Sequence, residues 1–71
     1  MTPADYTAWR TRLRLTKAAA AEALGASRNA CTHYEQGRAS IPRHIALACS
    51  AVAMGLPPYG TTPQEPEARK A

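Results

Sequence analysis

Residues 16–37, TKAAAAEALGASRNACTHYEQG, read as two short helices hinged by a tight turn. Thr16 is placed to cap the first helix, its side-chain oxygen accepting from a free amide of the first turn. Residues 18–23 are alanine except for Glu22, a composition that strongly favours helix. Leu24 is the last large apolar residue, and Gly25 supplies a position just past the end that can take positive φ. Ser27, a second cap residue, opens the second helix.

That second helix sorts its residues by face. Ala30, Cys31 and Tyr34 share one side, and Arg28, Asn29, Thr32, His33 and Gln36 share the other. The polar stripe carries a guanidinium, an amide, a hydroxyl and an imidazole, and no acid. These are groups that pair with base edges and phosphates. Helix, glycine turn and a helix with a polar face form the helix-turn-helix pattern.

With these residues in place, the chain resembles the DNA-binding domain of phage Cro and repressor proteins, the xenobiotic-response-element type. Leu15-Thr16, Ala20-Ala21, Leu24-Gly25, Ser27, Tyr34-Glu35 and Gly37 match, and Cys31 stands where that family usually has Ile or Val. The resemblance covers roughly Pro3 to Leu56. It implies an all-α, lambda-repressor-like bundle of four to five helices and a small phage or mobile-element regulator. It also implies residue roles. An arginine at the place of Arg10 pairs with a glutamate at the place of Glu35 and presents itself to a phosphate. Lys17 replaces a usual glutamine near a phosphate. The loop after Gly37 lays Arg38 and Ser40 along the backbone, and Arg43 lies near a minor groove.

Composition sets the outer limits. Seventy-one residues make one small domain with little room for a deep cleft. The formal charge is +4 and the pI about 9.6, which suits a polyanionic partner. The excess is not spread evenly. Arg10, Arg12, Arg14, Lys17, Arg28, Arg38 and Arg43 oppose only Asp5, Glu22 and Glu35 in residues 1–56, whereas Glu65, Glu67, Arg69 and Lys70 cancel in the remainder. No apolar run has the length of a membrane span, and the N-terminus lacks the build of a secretory signal. A cytoplasmic location with reduced thiols is therefore expected.

Along the rest of the chain, Thr2-Pro3-Ala4-Asp5 is a helix start: a cap, a first-turn proline and an acid near the positive end of the dipole. Tyr6, Trp9 and Leu13 recur at three and four residues and predict a buried stripe. Pro42 to Met54 reads as a fourth helix with two apolar stripes, Ile45-Cys49-Val52 and Leu47-Ala51-Met54. A small domain needs one buried stripe per helix. The second suggests either a helix enclosed by all the others or a subunit contact, and Leu56 and Tyr59 either fold back on the core or meet a second chain. Residues 61–71 are proline-rich, polar and charged, and are expected to be a disordered tail on a domain of residues 1–60.

The expected helices are 3–14, 16–24, 27–36 and 42–54. The expected core is Trp9, Leu13, Leu24, Cys31, Tyr34, Ile41, Ile45 and Cys49, with alanines allowing close helix approach. Such a core supplies only about 3–5 kcal/mol, so dimerisation would help.

Other chemistries find little support. Cys31, His33, His44 and Cys49 lack zinc-ligand spacing, and Cys31 and His33 point in different directions from one helix. No glycine-rich phosphate loop and no nucleophile–base pair is evident, so neither an enzyme nor a cofactor or small-molecule ligand is expected.

The sequence therefore predicts a regulator of transcription, most readily an autorepressor, acting as a homodimer on double-stranded DNA. Arg28, Asn29, Thr32 and His33 would contact bases. Arg10, Lys17, Ser27, Gln36, Arg38, Ser40 and Arg43 would contact phosphates. Leu47, Ala51, Met54, Leu56 and Tyr59 would form the dimer contact. The alternative is a protein-interaction module, an antitoxin or adaptor on the same fold.

Overall fold

The structure is a computed structural model that describes residues 1–60. Four helices follow one another: α1 (Pro3–Arg12), α2 (Lys17–Leu24), α3 (Arg28–Gln36) and α4 (Arg43–Ala53). Helix α1 packs on α3, and α2 packs on both α3 and α4. The expected all-α bundle is thus present in its four-helix form. The 61–71 tail and the domain boundary before it lie outside the described residues.

Side-chain caps begin the first three helices. Thr2 and Asp5 form a reciprocal capping box: Asp5 N–H donates to Thr2 Oγ1 at 3.0 Å, and Thr2 N–H donates to Asp5 Oδ2 at 2.9 Å. The backbone donor from Thr2, and then its hydroxyl, hold the Asp5 carboxyl below its ordinary pKa. Thr16 Oγ1 accepts from Ala19 N–H and Ser27 Oγ from Ala30 N–H. Pro42 precedes α4 with an extended backbone and offers no side-chain cap, so the helix starts one residue later than the proline.

All four helices end alike. After α2, α3 and α4, a glycine takes the left-handed conformation: Gly25 at φ 69°, Gly37 at 75° and Gly55 at 73°. The next residue donates its N–H to a carbonyl five residues back: Ala26 to Ala21, Arg38 to His33, Leu56 to Ala51. Helix α1 closes with the same bond, Leu15 N–H to Arg10 O at 3.0 Å. Here, however, the left-handed residue is Arg14, at φ 58°. For a residue with a Cβ that conformation costs roughly 1–2 kcal/mol. The expected helix over residues 3–14 is accordingly shorter by two residues. Leu13 becomes the C-cap and leaves the stripe, so it is half-buried and takes no place in the core.

Tyr6, which is missing from the expected core, is 0% exposed and the largest fully buried side chain among the described residues. Its ring lies 5.4 Å from Trp9 and meets Tyr34 edge-on at 6.1 Å. Ala21, Cys31, Tyr34, Ile45 and Cys49 complete the buried cluster, with Trp9, Leu24, Ala26, Ala30 and Ile41 packed around it. Ala20 is also fully buried, so close approach of α2 depends on side chains no larger than a methyl. Trp9 Nε1 donates to Cys49 O at 2.9 Å and ties α1 to α4.

Both cysteines are free thiols in this core. Burial, and then neighbouring Cys31, push the Cys49 thiol up to about 11. Burial and the same thiol raise the Tyr6 hydroxyl above its ordinary value. Beyond the weakly polar Cys31 thiol, that hydroxyl has no hydrogen-bond partner among the described residues. A buried donor left unpaired costs about 1–3 kcal/mol. Tyr6→Phe should therefore keep the ring packing and raise unfolding stability by about 1 kcal/mol, measured by urea denaturation. A loss of comparable size would show that the hydroxyl is satisfied in solution.

Candidate nucleic-acid interface

The helix-turn-helix unit is built by α2, the turn Gly25–Ser27 and α3. Gly25 reverses the chain after Leu24, and Ser27 caps α3 two residues later. Cys31 and Tyr34 are buried against α1 and α2, and Ala30 is half-buried beside them. This burial fixes the rotation of α3 about its axis. The opposite face then presents Arg28, Asn29, His33 and Gln36 to solvent, with Thr32 half-buried at its edge. Among the described residues, none of these five side chains has a hydrogen bond or ion pair. The face therefore offers donors and acceptors that the fold itself does not use.

One ion pair holds the far end of α3. Arg10 Nε donates to Glu35 Oε2 at 2.8 Å and Nη2 donates to Oε1 at 3.3 Å. The two side chains are only 15% and 14% exposed. A fork-to-fork pair of this kind fixes direction as well as distance. Arg10 Nη1 also donates to Leu15 O at 3.1 Å, a partner the sequence did not reveal. One guanidinium thus joins α1, the α1–α2 turn and α3. Of its five N–H groups, three hold protein oxygens, so any phosphate contact falls to the remaining ones.

The remaining residues of the expected backbone contact are exposed. Lys17 opens α2 and is exposed. Arg38 and Ser40 lie exposed in the loop between α3 and α4, and Arg43 is exposed in the first turn of α4. The loop Gly37–Ile41 and residues Met1–Pro3 line a shallow hollow of about 420 Å³. Ser27 is exposed, but its Oγ already accepts the Ala30 amide, which leaves only its hydroxyl proton to give.

The apolar side of α4 lies elsewhere. Leu47 and Met54 are 58% and 73% exposed, Leu56 and Tyr59 are exposed, and Ala51 is half-buried. Ala51, Leu56 and Tyr59 line a groove of about 570 Å³ together with Ala23, Leu24 and Val52. No helix of the described residues is long and apolar enough to cross a membrane. Cys31 and Cys49 are neighbours in the core, but among the described residues no group of three or more His, Cys, Asp or Glu could hold a metal ion.

The geometry has a counterpart among known families. A family model described as a helix-turn-helix domain matches residues 7–65, most of the chain, and the chain belongs to that family. No curated protein and no solved structure matches it significantly. The family defines the class: a helix-turn-helix domain of the DNA-binding kind, its match running from the middle of α1 through α4 and beyond.

Proposed function

We propose that the chain is a sequence-specific, duplex-DNA-binding repressor that acts as a homodimer on an inverted repeat. The observation that carries this reading is the outer face of α3, polar, free of acids and unengaged by the rest of the fold. In this reading α3 enters the major groove. Arg28 donates twice to a guanine, Asn29 bonds an adenine, and Thr32 and His33 reach further bases, the Thr32 methyl packing on a thymine methyl. Lys17, Ser27, Gln36, Arg38, Ser40, Arg43 and the spare donors of Arg10 grip phosphates and set the register. Repression follows if the site overlaps a promoter, and a compact cytoplasmic regulator of its own gene fits so small a domain.

One domain reads too few base pairs to define a unique site. The exposed Leu47, Met54, Leu56 and Tyr59, with Ala51, supply the apolar surface for a second copy. Two-fold symmetry then demands half-sites about 34 Å apart, one turn of the duplex. The rival reading gives the same apolar surface to an unlike protein, as in an antitoxin or adaptor.

Two experiments test this. Binding of the parent chain to a duplex selected from a random pool should be lost steeply with salt. Arg28→Ala should then relax preference at one base position by about 1–3 kcal/mol, whereas Lys17→Ala should weaken all sequences alike and lower the salt slope by about one unit. Equal loss on all sequences for Arg28→Ala would move that residue to the backbone class. Met54→Glu should shift sedimentation from dimer to monomer. An unchanged mass would exclude this surface as the self-contact.

A further inference from the structure

Four helices end in one backbone motif, and one of the four breaks its residue rule. Gly25, Gly37 and Gly55 hold the left-handed position after α2, α3 and α4, and Arg14 holds it after α1. Glycine adopts that conformation freely, and Asn or Asp can be accommodated there by a short polar side chain. Arginine has neither advantage. Its side chain is exposed and, among the described residues, makes no hydrogen bond or ion pair that would offset the strain. A local choice that opposes its own backbone, with no compensating side-chain contact among the described residues, points to a function for the side chain.

The position narrows what that function is. Arg14 stands two residues before Thr16, the cap of α2, and three before Lys17. The turn that carries it is not loose. Arg10 Nη1 holds the Leu15 carbonyl at 3.1 Å while its Nε holds Glu35, next to the last residue of α3. The Arg14 backbone is therefore fixed relative to both helices of the helix-turn-helix unit. Arg12 provides the contrast. It is exposed too, but it sits in the last turn of α1 in ordinary helical geometry, where a cation suits the helix dipole.

We infer that Arg14 is a phosphate-gripping residue that carries the interface past the first turn of α2 onto the flanking phosphodiesters. The inference rests on the DNA-binding reading above and adds a contact to it. In this reading the left-handed turn lowers stability and in exchange starts the Arg14 side chain from a fixed backbone position three residues before Lys17.

The test uses the full chain with Arg14→Gly, Arg14→Asn and Arg12→Ala, measuring thermal unfolding and duplex affinity across a salt series. Arg14→Gly should raise the melting midpoint by about 4–8 °C, since the turn is relieved. It should also lower the slope of log K against log salt by about 0.9, one phosphate contact. Arg14→Asn, which tolerates the turn but has no charge, should lose the same slope. Arg12→Ala should leave it unchanged.

A stabilised Arg14→Gly with an unmoved slope would overturn the inference while leaving the DNA reading intact. So would a lowered melting midpoint, a slope retained by Arg14→Asn, or an equal slope loss in Arg12→Ala, which would indicate diffuse charge. Failure of the parent chain to bind duplex would remove the DNA reading and this inference together.

Discussion

The guanidinium of Arg10 reaches three oxygens, two on Glu35 and one on the Leu15 carbonyl. Helix α1, the turn into α2 and the end of α3 meet at this single group. The buried face of α3 is short, with only Cys31 and Tyr34 fully inside. Two anchors a turn apart set the depth of a helix better than its tilt. The forked pair at Glu35 supplies a third point, and a helix held at three points keeps its outer face at a constant angle. The proposed base readout would depend on that constancy, because a bidentate contact tolerates little error in direction.

The core explains why such a clamp matters. One tyrosine at its centre, two thiols and several alanines give little apolar area for a domain of this length. Alanine at positions 20 and 21 lets α2 lie close to its neighbours, so the helix-turn-helix unit is compact at small cost in side-chain entropy. The unpaired Tyr6 hydroxyl lowers the stability of this core, and the left-handed Arg14 does the same at its edge. Against these, the Trp9 indole binding the Cys49 carbonyl joins the first helix to the last. The apolar side of α4 with Leu47 and Met54 faces solvent and adds nothing to this core.

Much of this was legible in the residues. Caps at Thr2, Thr16 and Ser27 and glycines at 25, 37 and 55 mark the helix ends directly, because each residue type answers one backbone requirement. The inward and outward sides of α3 follow from the helical period alone. The end of α1 was not legible, since nothing in the identity of arginine announces a left-handed residue. With α1 ending there, Leu13 stands at the C-cap outside the core, and Tyr6 lies at the core's centre. Tyr6 lay on the expected stripe, yet its depth depends on the rings of Trp9 and Tyr34 closing around it. The third oxygen on Arg10 is a backbone carbonyl, which a reading of side chains does not reveal.

The central claim is that the outer face of α3 meets duplex DNA while the α4 groove does not. Amide chemical shifts of the labelled chain, followed by NMR as a duplex is added at low salt, test it most directly. The account predicts shifts concentrated at residues 16–17, 27–33 and 37–43. Perturbation confined to residues 47–59, with α3 unmoved, would contradict it.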